Sequence, residues 1–239
     1  MGVKPLAADD PILLHFILES YLQKLLKYNL EPYLIPSLFP TDLVDTAYEQ
    51  AAGVLLLGGA DFHPSLYGEE LHPKTKPLDM RRDELDLRIA RKAFADRKPI
   101  LGICRGNQAI AIASGGSLHQ HIPESFPDEE HGLSEGTASY SALAEGKSSH
   151  PVIVEQGSKI HAIIGKEQIS VTTAHHQAVK ALGSDFRISG RSPSGVVEII
   201  EYIDPDYFCF GIQSHPEAEE KGDLEQLFDA FKAAVEEYH

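Results

Sequence analysis

Short apolar runs alternate with stretches of helical periodicity through most of the chain, the pattern expected of a sheet covered by helices. The fold class is therefore α/β: a mostly parallel central sheet flanked by helices, with an added antiparallel strand region in the C-terminal half. Val3 to Leu6 reads as an opening strand. Asp9-Asp10-Pro11 then supplies an N-cap and a first-turn proline for a helix to about Leu30, whose apolar face is Leu14, Ile17, Leu18, Tyr21, Leu22 and Leu25. Pro32 to Pro36 reads as a second strand, Leu43 to Ala52 as a helix, and Gly53 to Leu57 as a buried strand running into Gly58-Gly59. A long helix follows over about Asp79 to Ala95, then a buried strand from Pro99 to Ile103 that ends at Cys104, then a helix from Arg105 to Ser114. Pro123 to about Lys147 is rich in Glu, Ser, Gly and His with weak periodicity, and reads as loops at one end of the sheet. Further strands are expected at Val152 to Val154, Ile169 to Val171, Val196 to Ile203 and Phe208 to Ile212. Leu224, Leu227, Phe228, Phe231, Ala234 and Val235 recur at helical spacing, so a terminal helix should pack on the sheet. No repeat or low-complexity segment interrupts the chain, and residues 1–239 read as a single domain.

With 239 residues, 42% of them hydrophobic, the chain is long enough to bury roughly 70% of its unfolded surface. Its 36 acidic against 21 basic side chains leave a net charge of -15, which repels phosphates and argues against a nucleic-acid partner. Nothing approaches the roughly 18 uninterrupted apolar residues of a membrane span, and Met1 to Pro11 lacks a signal-peptide core, so no membrane partner and a cytoplasmic location are expected. Two cysteines, Cys104 and Cys209, are too few for a disulfide scaffold.

Gly102-Ile103-Cys104-Arg105-Gly106 follows a buried strand and opens a helix, the pattern of a nucleophile elbow with cysteine in the reactive position. The sharp turn needs neighbours without side chains, and it lifts the sulfur beside free helix N–H groups that favour a thiolate. A lone Gly-x-Cys is more often a structural cysteine. His215-Pro216-Glu217 follows the strand ending at Ile212; in extended chain residues i and i+2 point the same way, so Glu217 can orient the His215 ring toward a nucleophile. Both motifs sit at the C-terminal ends of expected strands, where α/β active sites gather. Gly58-Gly59 also follows a buried strand, and its backbone N–H groups are open to a substrate oxygen; with the N–H of Arg105 they are candidates for an oxyanion hole.

In order along the chain stand Gly58-Gly59-Ala60-Asp61 with Pro64-Ser65-Leu66-Tyr67-Gly68-Glu69, then Lys98 to Gly106, Gly115-Gly116-Ser117-Leu118-His119-Gln120 and His150-Pro151-Val152. His175-His176-Gln177-Ala178-Val179 and Gly211-Ile212-Gln213-Ser214-His215-Pro216-Glu217 complete the series. Through these motifs the chain resembles the class I glutamine amidotransferase-like superfamily, and within it the γ-glutamyl hydrolase branch. The resemblance implies a catalytic triad of Cys104, His215 and Glu217 cleaving a small-molecule γ-glutamyl amide through a γ-glutamyl thioester. It also places His175, His176 and Gln177, with Gln108 one turn past the nucleophile, near the glutamyl end of the substrate. No metal and no organic cofactor is expected. His119-x-His121 shares a strand face, but no third ligand stands at a spacing that completes a site. Leu57 stands where the branch often has proline, Ala60 where it has glycine, Asn107 where methionine or histidine is usual and Ser214 where an aromatic is typical. The two polar replacements, Asn107 and Ser214, leave the preferred leaving group open. Alternative readings are a glutaminase subunit passing ammonia to a synthetase partner, and a catalytically silent regulatory member of the fold. The chain is compatible with a homo-oligomer, although no exposed apolar helix face demands one.

Overall fold

The computed structural model describes residues 19–75, 79–127 and 149–238. Nine strands form one mixed sheet: β1 (Val54–Leu56), β2 (Ile100–Ile103), β3 (Ser117–His119), β4 (Ser149–Val154), β5 (Gln168–Thr172), β6 (Ala178–Ala181), β7 (Phe186–Arg191), β8 (Val197–Tyr202) and β9 (Cys209–Ile212). The order along the sheet is β1-β2-β9-β8-β7-β4-β5, with β3 paired to β6 and β6 to β8 off that path. Helices α1 (Glu19–Lys27), α2 (Thr41–Gln50), α3 (Met80–Asp96), α4 (Arg105–Ala113), α5 (Ile122–Ser125), α6 (Lys159–Ile164) and α7 (Glu225–Glu237) surround it.

Alternation along the central strands explains why helices cover both faces. In β2, Ile100 packs with Leu87, Ala90 and Ile110 of α3 and α4, whereas Leu101 and Ile103 belong to a cluster with Ile160, Leu227 and Phe228. β9 repeats the division, with Cys209 on the first side and Phe210 and Ile212 on the second. A strand buried on both faces needs no polar alternation, which is why β2 reads as a continuous apolar run. α3 begins where Asp79 caps it, its carboxylate accepting from the Arg81 N–H at 3.2 Å.

The α/β class holds, and the sheet is mixed. Among the described residues parallel pairing is confined to β1 with β2 and β2 with β9, while β8, β7, β4, β5, β6 and β3 join through antiparallel ladders. Pro32 to Pro36 is not a strand. Two prolines in five residues remove two ladder donors, and the segment crosses the surface with only Ile35 packed against the core. β3, β6 and β7 were not expected from the pattern, being short or broken by polar residues and glycine. The expected opening strand, the first turns of the helix that ends as α1, and residues 128–148 of the expected loop region lie outside the described residues.

Candidate active site

β2 lies between β1 and β9, and at its end the chain turns sharply at Cys104 into α4. Cys104 adopts φ 53° and ψ -104°, a conformation that an L residue rarely takes and that the surroundings must enforce. Its N–H donates to the Ile212 carbonyl at 2.7 Å, and its carbonyl accepts from the Gln108 N–H at 3.3 Å. The flanking glycines are required by contact. A Cβ on Gly102 would stand 2.4 Å from the Gly106 oxygen, and one on Gly106 would stand 2.2 Å from the Leu56 oxygen. Helix and strand approach so closely here that no side chain fits between them.

Ile212, the last residue of β9, is in register with Ile103, the last residue of β2, so the chain leaving β9 passes beside Cys104. His215 is held there by its own N–H, which donates to the Thr172 carbonyl at 2.8 Å. Its Nδ1 lies 2.7 Å from Glu217 Oε1; a carboxylate only accepts, so Nδ1 carries the proton and the other nitrogen is left for the sulfur. The ring is hydrogen-bonded to Glu217 and stands beside Cys104. Burial disfavours a charged imidazole, but the negative charges of Cys104 and Glu217 outweigh it and raise the His215 pKa well above the ordinary value.

The Gly58-Gly59 turn packs against the same atoms. A Cβ on Gly58 would lie 3.3 Å from the His215 ring and 3.7 Å from Cys104 Cβ. The Gly58 N–H donates to the Tyr21 hydroxyl at 3.1 Å, so this donor is already engaged. Burial, followed by the negative charges of Glu217 and Cys104, raises the pKa of that hydroxyl far above the usual phenol value. Tyr21 was expected only as part of an apolar helix face; its hydroxyl gave no sequence signal. Two arginines fix the turn from outside. Arg82 Nη2 donates to the carbonyls of Leu57 at 3.1 Å and Gly58 at 2.7 Å. Arg105 Nε donates to the Ala60 carbonyl at 2.8 Å, and the buried guanidinium pairs with Asp83 and Asp86 over the Phe62 ring, 3.8 Å from its centroid. Burial raises the Asp83 pKa, against the lowering effect of the His63 N–H and Arg105. Arg105 was a candidate for its backbone N–H alone. The available hint was Asp83 and Asp86 one turn apart on a helix face that must be buried.

The residues expected to bind substrate divide. Gln108 and Gln177 are both buried near Cys104's helix: Gln108 Nε2 donates to the Gln177 carbonyl at 3.3 Å and the Gln213 side chain at 3.4 Å, and Gln177 Nε2 to the Gln120 carbonyl at 3.1 Å. His176 pairs with Asp61, just past the glycine turn, at 2.9 Å. His175 turns inward, with Nδ1 2.9 Å from the Gln177 carbonyl and Nε2 facing Glu198, and burial lowers its pKa to about 3. Asn107 is fully buried, donating to Gln213 at 3.1 Å and filling the space over Gly211, where a Cβ would stand 2.2 Å from its Oδ1. It is a packing residue, and Ser214 is buried as well. His119 and His121 go to different neighbours, His119 to Ser125 at 3.0 Å and His121 to stacking with His72. Cys209 is the buried filler expected, its thiol pKa raised by burial. No described helix is long and apolar enough to cross a membrane.

This architecture has counterparts among known proteins. A Thermoplasma acidophilum protein provisionally assigned to GMP synthase superposes with a TM-score of 0.63 at 21% identity, covering 92% of this chain and 88% of that one. The γ-glutamyl-γ-aminobutyrate hydrolase PuuD of Escherichia coli (strain K12) is 31% identical over 225 residues, 92% of this chain and 86% of PuuD. A provisionally assigned glutamine amidotransferase of Mycobacterium tuberculosis is 32% identical over 205 residues, 86% of this chain, which spans only 62% of that relative's length. Residues 10–217, which contain the elbow, the glycine turn and the His215-Glu217 pair, match the peptidase C26 family, and the chain belongs to that glutamine amidotransferase-like family.

Proposed function

We propose that the protein is a cysteine hydrolase of γ-glutamyl amides, with Cys104 as nucleophile, His215 as proton carrier and Glu217 as the group that orients it. The observation that carries the reading is His215, hydrogen-bonded to Glu217, standing beside Cys104 at the mouth of a strained elbow. The Cys104 thiolate attacks the γ-carbonyl carbon, and the oxyanion forms against the N–H groups of Gly59 and Arg105; Gly58, whose N–H is engaged by Tyr21, supports the turn instead. His215 then gives its proton to the amine nitrogen as the C–N bond breaks, leaving a γ-glutamyl thioester. Water loses a proton to His215 as its oxygen attacks the thioester carbon, the C–S bond breaks to release glutamate, and the Cys104 thiolate is restored beside the protonated ring. Gln108, hydrogen-bonded to the Gln177 backbone, and the His176-Asp61 pair supply polar groups for the glutamyl head. The likeness to PuuD supports a γ-glutamyl amine as substrate.

The test is glutamate release from a panel of γ-glutamyl amides, including glutamine and γ-glutamyl-γ-aminobutyrate, by the wild type and by Cys104→Ala. Cysteine-dependent release from a γ-glutamyl amine or peptide is the expected result. Turnover of glutamine alone would instead favour a glutaminase serving a synthetase partner, and silence across the panel from a folded protein would overturn the proposal.

A further inference from the structure

Beyond the triad, three side chains from distant segments converge. His150 stands on β4, His175 in the connection between β5 and β6, and Glu198 on β8. His150 Nε2 lies 3.6 Å and His175 Nε2 3.5 Å from the same atom, Glu198 Oε1, and the three donor atoms lie within 4.8 Å of one another. The side chains of His175 and Glu198 are 2% and 1% exposed, and that of His150 is 10% exposed.

The remaining ring nitrogens define the chemistry. His150 Nδ1 lies 3.0 Å from the Pro151 carbonyl, and His175 Nδ1 lies 2.9 Å from the Gln177 carbonyl. A carbonyl oxygen only accepts, so in each neutral ring Nδ1 carries the hydrogen and Nε2 presents its lone pair. Two such lone pairs and one carboxylate oxygen form a donor set of the kind that a divalent cation takes. Backbone carbonyls holding the far nitrogen are also how proteins fix the tautomer and ring plane of metal-binding histidines. Ligands about 2.1 Å from a tetrahedral zinc ion are separated by about 3.4 Å, close to the two histidine–glutamate distances. Two imidazoles and one carboxylate suit zinc and neighbouring divalent ions, and leave a fourth position for water.

We propose that His150, His175 and Glu198 bind a divalent transition-metal ion of the zinc class. Its place in the sheet gives it a structural task. β4 pairs with β7 at Ile153 and Val154 only, and its first residues run on with β5 alone, so the sheet forks beside β8. β8 meanwhile pairs with β6 on the other branch through Val197 and Val179. An ion held by β4, the β5–β6 connection and β8 would close this fork. The end of β5 provides the Thr172 carbonyl that holds His215, and the Gln213 N–H donates to the Glu198 carbonyl at 2.8 Å. The ion therefore stiffens the backbone on which the base is mounted without entering the reaction.

The test uses tag-free full-length protein stripped with a chelator and titrated with Zn²⁺ by calorimetry and with Co²⁺ by visible absorption. One equivalent of each metal should bind, Co²⁺ should give the intense bands of a four-coordinate site, and Zn²⁺ should raise the melting temperature. Glu198→Gln and His150→Ala, checked by circular dichroism, should each weaken binding at least tenfold. Cys104→Ala should bind as the wild type does, which separates this site from the triad and keeps the result independent of the hydrolase reading. No binding, binding unchanged in a folded His150→Ala or Glu198→Gln protein, or binding lost in Cys104→Ala would each overturn the proposal.

Discussion

The parallel part of the sheet and its antiparallel extension each end in a cluster of buried polar groups, but they gather them differently. β1, β2 and β9 lie side by side, and the few residues after each strand provide the glycine turn, Cys104, and His215 with Glu217. Parallel neighbours in register bring their C-terminal ends to one edge, so three short local motifs suffice. In the antiparallel extension His150, His175 and Glu198 come from a strand, a connection and another strand, each from a different direction. His150 and His175 each stand in a short motif, but neither motif shows by its spacing that the two meet Glu198. A site whose residues are contiguous with strand ends is readable from spacing, whereas a site built across a fork exists only after the ladders have formed.

Several measurements sharpen or break this division. The largest effect beyond the nucleophile itself is expected from Glu217→Gln, which keeps the shape but weakens the hold on the His215 proton and tautomer; kcat/KM should fall on the order of 10³- to 10⁴-fold. Zinc affinity in this variant should match the wild type, and a parallel loss would mean the two clusters are one site. Gly106→Ala comes next. Its Cβ would meet the Leu56 carbonyl at 2.2 Å, so denaturant titration should show about 3 kcal/mol or more of lost stability. A neutral result would show that the elbow is less tightly packed than these contacts require.

The pH dependence of folding reports the charges around His215. Because His215 titrates above its unfolded value, its contribution to stability is complete below about pH 6.5 and fades as pH rises through the higher folded value. Cys104→Ala removes one of the charges that raise it, so the decline on the alkaline side should become shallower. An unchanged slope would argue that Cys104 carries no charge next to the ring. The smallest effect is expected from Asn107→Ala, which deletes the hydrogen bond to Gln213 in a fully buried place and should cost about 1 to 2 kcal/mol. The order of preference among γ-glutamyl substrates should not change. A changed order would return Asn107 to the substrate pocket.

The sequence by itself determined the α/β class, the long helix that follows Asp79, and the elbow, because each rests on local rules. Apolar runs bounded by glycine make buried strands, Asp79 caps a helix, and Gly102 and Gly106 permit a close turn. The His-Pro-Glu spacing likewise carried its own geometry, since His215 and Glu217 need only two residues of chain to meet. Tertiary structure decided what depends on partners far along the chain. It denied a strand to Pro32 to Pro36, where proline leaves no donors for a ladder, and gave one to Phe186–Arg191, whose mixed pattern is stabilised by β8 and β4 on either side. It turned the Arg105 side chain into the clamp on the Ala60 carbonyl, the Tyr21 hydroxyl into the partner of Gly58, and His175 toward Glu198. The Arg105 and Tyr21 contacts each satisfy a buried polar group through a residue tens of positions distant, and His175 meets Glu198 across a similar gap. A burial cost of that kind is set by the folded environment, which no local pattern encodes.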